Sequence, residues 1–367
     1  MTSSLPLMLA DLETLVTCES PSSDLAAVAR SADVVAQLGA ERLGGKPSYE
    51  VVDGRTHLRW KFGDGPSRVL VLGHHDTVWP LGSLATHPFV VTDGIVRGPG
   101  CFDMKTGLVM AFHALSALPS LDGVTLLVTG DEELGSPSSR ALIEAEAAGC
   151  AAALVLEASA DEGALKLERK GVSNYEIRIG GRAAHAGLEP ELGVNASIEA
   201  AHQILAIAAL GDPSVGTTVT PTALTSGTTR NTVPASGSFL VDVRARTVDE
   251  QLRVDAALHA LKPVLPGATI EIVGGPNRPP LERKMSDALY RRAGELASSL
   301  GLPPLRETSV GGASDGNFTA GVGTPTLDGL GAVGGGAHAD DEHVVVAEIL
   351  PRTSLLTALI ADLLDRP

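Results

Sequence analysis

Short apolar runs and helical segments alternate along the first half of the chain. The apolar runs are bounded by glycine or polar residues and predict buried strands at residues 69–72, 124–130 and 152–156. Apolar residues at helical spacing predict helices at residues 8–18, 24–38, 108–118 and 137–148. Residues 49–60 alternate and predict one further strand. Such alternation of strands and helices is typical of a mostly parallel sheet, so we expect an α/β fold.

The hydrophobic pattern changes after about residue 172. Alternation with a period of two residues predicts more strands, at residues 175–180, 238–244 and 269–273. Helices are predicted between them, at residues 195–210 and 248–262. This order suggests a small sheet that is covered on one face only. We therefore expect an inserted α+β domain at residues 173–276. Residues 1–172 and 277–367, with further helices at 284–300 and 348–364, form the first domain.

Composition and charge narrow the choice of partner and compartment. The 367 residues include 44 acidic and 28 basic side chains, a net charge of −16 that argues against nucleic acid or an anionic membrane as partner. No apolar run approaches the roughly 18 residues of a membrane span, and the N-terminus lacks a secretory signal pattern. The cysteines, Cys18, Cys101 and Cys150, are too far apart for a CxxC pair. We expect a cytoplasmic location, where thiols stay reduced.

Candidate metal ligands follow the predicted strands. His74, Glu133 and Glu157 come just after three of them, Asp103 lies in a glycine-rich loop, and His338 lies in a glycine-rich segment near the C-terminus. Open α/β sheets hold their active sites at the carboxyl ends of their strands. Imidazole and carboxylate ligands without a thiolate suit zinc or a similar cation in a catalytic site. Two ions about 3.5–4 Å apart need a bridging carboxylate, and we assign that role to Asp103.

The neighbours of these ligands have other expected roles. Glu132 precedes the candidate ligand Glu133, so its carboxylate, which is not needed as a ligand, is a candidate general base. Asp76 lies two residues after His74 and is a candidate to fix the tautomer of a metal-bound imidazole. Each short motif occurs often by chance, but together these residues favour a metal site.

Two glycine-containing motifs point to different chemistry. Residues 329–334 match the dinucleotide fingerprint G-x-G-x-x-G, but no βαβ unit surrounds them, so we reject that interpretation. Residues 312–316 match the nucleophile elbow G-x-S-x-G around Ser314, and Asp328 and His338 follow in the order of α/β-hydrolases. No strongly apolar strand leads into Ser314, and a serine hydrolase leaves the acidic residues at the strand ends without a role. It stays the weaker alternative.

A set of longer motifs runs through nearly the whole chain in one order. These motifs are Gly73-His-His-Asp-Thr-Val78, Gly98-Pro-Gly-Cys-Phe-Asp-Met-Lys-Thr-Gly107, Thr129-Gly-Asp-Glu-Glu-Leu-Gly-Ser136, Leu156-Glu157, the segment 180–196 around His185, Arg230-Asn-Thr-Val-Pro234, Asp242-Val-Arg244, Gly312-Ala-Ser-Asp315 and His338-Ala-Asp-Asp-Glu342. In this order they resemble the M20 metallopeptidase family, and within it the carboxypeptidase G2-like (glutamate carboxypeptidase) group.

The resemblance implies a zinc-peptidase-like catalytic domain that binds two Zn²⁺ ions, for which Co²⁺ or Mn²⁺ can substitute. One ion is then held by His74, Asp103 and Glu157, and the other by Asp103, Glu133 and His338. In the family, the residue matching Glu132 is the general base and the one matching Asp76 orients the ligand that matches His74. His75 occupies the variable position of the family's His-x-Asp motif, so we expect it not to bind metal. The peptide bond after the bridging aspartate is commonly cis, so we expect a cis bond between Asp103 and Met104.

The inserted domain at residues 173–276 resembles the family's lid, which pairs two subunits into a homodimer. The resemblance implies that His185 reaches the partner's active site and stabilises the oxyanion, as a well-placed donor does. Asn231 and Arg244 match positions that bind the carboxylate of the substrate, for which a guanidinium is well suited. Arg244 can equally be a strand-surface charge. Ser314 falls in a family loop near the substrate carboxylate, so it is a further candidate for substrate binding.

We therefore expect a di-zinc hydrolase that cleaves the amide bond to a C-terminal amino acid, as a glutamate carboxypeptidase does. A metal-bridging hydroxide attacks the carbonyl and Glu132 is the general base. The substrate is then a small N-acyl amino acid or a short peptide. The alternatives are an N-acyl-amino-acid deacylase or acetylornithine-deacetylase-like enzyme, a serine hydrolase that uses Ser314, and an inactive metal-binding scaffold.

Overall fold

The structure, a computed structural model, describes residues 4–365 and divides them into two compact units. The first unit comprises residues 4–168, 283–310 and 314–365, and the second comprises residues 169–282 and 311–313. The expected borders of the inserted domain, residues 173 and 276, fall within this second unit. Residues 1–3 and 366–367, which the expected first domain includes, lie outside the described residues.

The elements are numbered here in chain order. The helices are α1 (Leu5–Thr17), α2 (Leu25–Leu43), α3 (Thr106–Ser116), α4 (Arg140–Ala147), α5 (Ala196–Ala208), α6 (Val248–His259), α7 (Asp287–Ser299), α8 (Gly316–Gly321) and α9 (Val346–Asp365). The strands are β1 (Ser48–Val52), β2 (Arg55–Lys61), β3 (Val69–His74), β4 (Val90–Thr92), β5 (Ile95–Arg97), β6 (Val124–Thr129), β7 (Ala152–Val155), β8 (Leu165–Arg169), β9 (Gly171–Gly180), β10 (Thr218–Ser226), β11 (Ser236–Ala245), β12 (Thr269–Arg278), β13 (Glu307–Val310), β14 (Thr326–Leu327), β15 (Gly334–Gly335) and β16 (His343–Val345).

A mixed sheet in the order β1-β2-β6-β3-β7-β14 forms the centre of the first unit. Strands β6, β3, β7 and β14 run parallel, and β2 pairs antiparallel with β1 and β6. Val69 and Val71 of β3 belong to a core with residues of α1, α2, α3 and α9, whereas Leu70 and Leu72 pack with α4 and α8. Because helices cover both faces, the central strands β3, β6 and β7 are buried along their whole length and mostly apolar. The predicted α/β class with a mostly parallel sheet is confirmed.

Residues 49–60 are strand as predicted, but they form a hairpin of two strands, and the prediction did not include the turn. β1 and β2 are joined by Asp53 and Gly54, whose φ angles are 51° and 77°. Two residues with positive φ form the turn that suits the twist of a hairpin. The predicted start of α2 agrees with the structure, whereas its predicted end at residue 38 comes too early. Asp24 caps the N-terminus through the N–H of Ala27 at 2.9 Å, but the helix continues to Gly44, which adopts a left-handed conformation.

The second unit contains an antiparallel sheet in the order β10-β11-β9-β12, with α5 and α6 packed on one face. Tyr175, Ile177 and Ile179 of β9 alternate into this core with residues of the two helices. β10 was not predicted. Its sequence, TVTPTALTS, buries only Val219 and contains Pro221, which an edge strand tolerates because one side of it needs no partner. Among the described residues, none of the helices combines the length and apolarity of a membrane span.

Candidate metal centre

The predicted ligands converge at the carboxyl ends of adjacent parallel strands. His74 ends β3, Glu133 follows β6 and Glu157 follows β7, and β3 lies between the other two strands. The strands are in register, with His74 opposite Thr129 of β6. Because parallel strands run in the same direction, their carboxyl ends lie at one edge of the sheet, and side chains just beyond those ends share that edge.

Two groups of ligands form at this edge and share one carboxylate. His74 Nε2 lies 3.4 Å from Asp103 Oδ1 and 3.6 Å from Glu157 Oε1. His338 Nε2 lies 3.4 Å from Asp103 Oδ2 and 3.1 Å from Glu133 Oε2. Within each group, the candidate ligand atoms lie within 4.8 Å of one another. Asp103 presents one oxygen to each group, which is the arrangement that a bridging ligand requires.

The polar atoms of this centre fit a divalent cation. Among the described residues, His74 Nε2 and Glu133 Oε1 are buried and lack a hydrogen-bond partner. Such an atom costs about 1–3 kcal/mol unless something satisfies it. Hydrogen bonds with Asp103 and Glu133 raise the pKa of His338 to about 10, so the surrounding carboxylates favour a positive charge there. Two imidazoles and three carboxylates are a donor set that suits zinc.

The loop between β5 and α3 holds Asp103. Its Asp103–Met104 peptide bond is cis, as the resemblance implies. Gly100 has a φ of 71°, and a Cβ there would lie 2.5 Å from Thr77 Cγ2, so a larger residue would clash with the segment after β3. Met104 then packs under the ligand His74, with its sulfur 3.2 Å from the His74 backbone nitrogen.

Asp76 is buried and connects His74 to the acidic pair. His74 Nδ1 lies 3.0 Å from the backbone oxygen of Asp76 and 3.5 Å from its Oδ1, which leaves Nε2 facing the other ligands. The carboxylate also accepts hydrogen bonds from the Ser22 hydroxyl (2.6 Å) and from the N–H groups of Glu132 (3.2 Å) and Glu133 (3.3 Å). Burial opposes ionisation of Asp76, but hydrogen bonds from His74 and Ser22 outweigh it and lower its pKa.

Glu132 and His75 lie beside the ligands without joining either group. Glu132 is 8% exposed and occupies the short turn after β6, next to the ligand Glu133. His75 is fully buried, with Nδ1 3.1 Å from the Ser31 hydroxyl and Nε2 3.1 Å from the Thr56 carbonyl oxygen. Burial lowers the pKa of His75 to about 4. A neutral ring with both nitrogens occupied fits the expectation that His75 does not bind metal.

The expected lid residues lie in the second unit. His185 is exposed, and its Nδ1 accepts a hydrogen bond from the Gly187 N–H at 3.1 Å. Asn231 is exposed as well. Arg244 is half-buried, and its guanidinium donates to the Asp242 carboxylate through two nitrogens at 2.9 Å. This contact matches the interpretation of Arg244 as a strand-surface charge, and the substrate-binding role of Arg244 and Asn231 stays a prediction.

Ser314 is fully buried in the first unit. Its hydroxyl donates to Asp328 Oδ2 at 2.6 Å and accepts from the Gly316 N–H at 3.1 Å. A serine nucleophile needs a general base such as histidine on its hydroxyl. The part of the chain that the structure describes gives Ser314 no imidazole partner, which argues against the serine hydrolase alternative. Contact between Ser314 and a substrate stays a prediction.

Sequence reasoning missed the buried residues that hold the ligand loops in place. Ser22 reaches Asp76 across 54 residues. Asp131 accepts hydrogen bonds from the hydroxyls and N–H groups of Ser138 and Ser139 and so closes the loop that carries Glu132. Glu342 binds the loop that carries the bridging aspartate. The contacts of Ser22 and Glu342 join distant segments, so no local spacing reveals them, whereas those of Asp131 span only seven or eight residues. Acidic residues beside a candidate ligand motif are the available signal.

Comparison with known proteins agrees with this geometry. The model of "Peptidase family M20/M25/M40" matches residues 70–362. Carboxypeptidase G2 of Pseudomonas sp. (strain RS-16) is 32% identical over 380 residues, which cover 98% of this chain and 89% of that protein. Succinyl-diaminopimelate desuccinylase 2 of Shewanella loihica is 26% identical over 84% of this chain and 88% of its own length.

Solved structures with the same fold include two peptidases. Aminopeptidase PepT from Bacillus cereus has a TM-score of 0.78 and 21% identity over 100% of both chains. The M20 family metallo-carboxypeptidase Sso-CP2 from Sulfolobus solfataricus has a TM-score of 0.73 and 16% identity over 98% of this chain and 99% of its own. The family match covers most of the sequence and includes every predicted ligand. This chain therefore belongs to the M20/M25/M40 peptidase family and is a metal-dependent hydrolase of amide bonds, as its motif order predicts.

Proposed function

We propose that this protein is a di-zinc hydrolase that cleaves the amide bond between an acyl or peptidyl group and a C-terminal amino acid. The observation that carries the proposal is the pair of ligand groups joined at Asp103, with Glu132 beside them. Similarity to carboxypeptidase G2 favours a carboxypeptidase. Similarity to desuccinylases supports a second candidate, an N-acyl-amino-acid deacylase or acetylornithine-deacetylase-like enzyme.

Each residue of the centre then has a defined task. His74, Asp103 and Glu157 would hold one zinc ion, and Asp103, Glu133 and His338 the other. Bound zinc supplies Lewis acidity, which polarises a scissile carbonyl and lowers the pKa of nearby water. Glu132 accepts the proton of the attacking water and returns it to the leaving nitrogen. Asp76 would support the centre in two ways: its backbone oxygen, with the carboxylate behind it, orients His74, and its carboxylate holds the backbone N–H groups of Glu132 and Glu133.

Recognition of the substrate falls to residues outside the two ligand groups. Arg244 and Asn231 would bind the C-terminal carboxylate, with Arg244 exchanging its contact to Asp242 for the substrate. His185 would donate a hydrogen bond to the oxyanion in the active site of a partner subunit, which requires a homodimer formed through residues 173–276. Ser314 would support the loop near the carboxylate. The free cysteines agree with a cytoplasmic location.

Glu132→Gln is the variant that tests the proposed base. We expect kcat to fall by about 10²–10⁴-fold, since general acid–base catalysis contributes roughly that much, while both zinc ions remain bound. Glu133→Gln is the matched control, because it changes the neighbouring carboxylate and should lower zinc content as well as turnover. Unchanged turnover by Glu132→Gln would exclude Glu132 as the base.

A substrate panel separates the candidate reactions. Wild-type protein loaded with zinc or cobalt is incubated with N-acetyl and N-succinyl amino acids, with peptides that end in different amino acids, and with the same compounds carrying a C-terminal amide. Preference for peptidyl compounds supports the carboxypeptidase, and preference for short acyl groups supports the deacylase. Protein that holds two metal ions but hydrolyses none of these compounds contradicts the proposal and supports the inactive scaffold.

A further inference from the structure

A buried glutamate near the C-terminus binds the loop that carries Asp103. Glu342 is 3% exposed, and its Oε1 accepts hydrogen bonds from the N–H groups of Phe102 (2.8 Å) and Asp103 (3.0 Å). Its Oε2 accepts from the Gly100 N–H (2.9 Å) and from the indole N–H of Trp79 (2.6 Å). Each carboxylate oxygen therefore receives two donors. A buried carboxylate needs such contacts to offset the loss of water.

Strand pairing brings Glu342 to this loop. Glu342 precedes β16, and Val344 of β16 pairs with Val96 of β5, the strand from which the loop departs. The loop also contains a backbone hydrogen bond from the Lys105 N–H to the Gly100 carbonyl oxygen at 3.0 Å. That bond does not involve the N–H groups of Gly100, Phe102 and Asp103, which therefore need another acceptor. Glu342 satisfies these three donors, and one of them belongs to Asp103 itself.

We propose that Glu342 is a positioning residue for the bridging carboxylate. By holding the backbone of Asp103, it sets the side chain so that Oδ1 lies 3.4 Å from His74 and Oδ2 lies 3.4 Å from His338. This inference rests on the proposed function in assuming that both ligand groups bind metal. Metal–ligand distances tolerate deviations of only about 0.2 Å, so a small shift of this loop weakens both sites together.

A general contribution to folding is the competing explanation, and the chain contains a control for it. Glu199 is 0% exposed and lies in the second unit. Its carboxylate accepts hydrogen bonds from the N–H groups of Val264 (3.0 Å) and Leu265 (2.7 Å) and from Gln203 Nε2 (2.7 Å). Glu199 and Glu342 are thus both buried glutamates that bind backbone N–H groups. They differ in that only Glu342 binds the backbone of a candidate metal ligand.

The test compares Glu342→Gln with Glu199→Gln in the full-length protein. Glutamine has the same shape, but its NH₂ group replaces one acceptor, so either orientation directs it at two N–H donors of the Glu342 site. Zinc affinity is measured by competition with a chromophoric chelator, the visible spectrum is recorded with Co²⁺, and stability is measured by denaturant unfolding. We expect Glu342→Gln to lower the affinity for both zinc ions by about 10–100-fold and to change the Co²⁺ spectrum.

Glu199→Gln should lose stability but keep the wild-type zinc affinity and Co²⁺ spectrum. The inference is overturned if Glu342→Gln binds both zinc ions as tightly as the wild type, or if the two variants weaken zinc binding equally. If Glu342→Gln does not fold, Glu342→Asp replaces it: that variant keeps the charge but shortens the side chain, and unchanged zinc affinity would overturn the inference. Wild-type protein that binds two zinc ions but hydrolyses nothing contradicts the proposed activity and leaves this inference standing.

Discussion

Gly107 packs against the strand end that carries Glu157, so its replacement tests how strictly the spacing of the ligands is set. Gly107 is the second residue of α3, which starts directly after the Asp103 loop. A Cβ at this position would lie 2.3 Å from the carbonyl oxygen of Leu156 and 2.8 Å from Met104 Cε. Real Cβ atoms are essentially never closer than 3.0 Å to a neighbour, and a backbone oxygen cannot rotate away. In Gly107→Ala, α3 and the end of β7 must therefore separate by roughly 0.7 Å or more.

This displacement is large on the scale of a metal site. Asp103 precedes α3 and Glu157 follows Leu156, so the separation of the two carboxylates changes with it. Because ligand distances tolerate only about 0.2 Å, we expect zinc affinity at the His74 group to fall about tenfold or more. Overpacking should also lower the free energy of unfolding by about 1–3 kcal/mol. The higher helix propensity of alanine, worth about 1 kcal/mol, offsets part of that loss.

Gly294→Ala is the control for the helix propensity. Gly294 lies in α7, and a Cβ there has no neighbour within 4 Å. We expect that variant to gain roughly 0.5–1 kcal/mol in unfolding free energy and to bind zinc like the wild type. Unfolding by denaturant and zinc competition with a chelator measure both effects. The reasoning is refuted if Gly107→Ala binds two zinc ions with wild-type affinity and is as stable as Gly294→Ala.

Two further predictions concern metal removal and pH. Removal of metal by a chelator should lower the melting temperature, and added zinc should restore it. The reason is that a ligand at 100 times its Kd stabilises the folded state by about 2.7 kcal/mol. A melting temperature that is the same with and without zinc would contradict zinc binding to the folded protein. Burial lowers the pKa of His57, and below about pH 6.5 the unfolded chain therefore binds a proton that the folded chain lacks. Stability should thus fall as the pH drops from 6.5. Between pH 7 and pH 5, metal-free His57→Gln should lose less unfolding free energy than the metal-free wild type. Equal losses would contradict the conclusion that the buried His57 is neutral in the folded protein.

The convergence of the candidate ligands was predictable from the sequence, in part because a rule of topology brings strand ends together. Apolar runs long enough to be buried strands end within a few residues of His74, Glu133 and Glu157, and parallel strands bring their carboxyl ends to one edge. Asp103 and His338 lie in glycine-rich segments without such a strand; their residue types made them candidates, and the family motifs assigned them to the two ions. The structure unites all five residues in the two ligand groups.

Other features depend on contacts that no local pattern contains. Pro221 and the scarcity of buried residues conceal β10, whose place is set by pairing with β11. β14 has only two residues, and its strand conformation comes from β7 beside it. Glu342 meets the Asp103 N–H across 239 residues of chain. The turn at Asp53 and Gly54, in contrast, does have a local signal, an Asp-Gly pair between two alternating segments. The prediction of strand over residues 49–60 overlooked that signal because the alternation continues through it.

The order of the ligands along the chain has a consequence for how the enzyme matures on the ribosome. A nascent chain that has reached Glu157 already contains His74, Asp103 and Glu157, whereas the other group is incomplete until His338 has been synthesised. At about 5–20 residues per second, translation of the intervening segment takes on the order of ten to forty seconds. Glu342, which accepts a hydrogen bond from the Asp103 N–H, is synthesised after all five candidate ligands. The residues of the two candidate ligand groups therefore become available at different times. If Glu342 positions Asp103 as proposed, neither group has its final geometry until the C-terminal segment has left the ribosome.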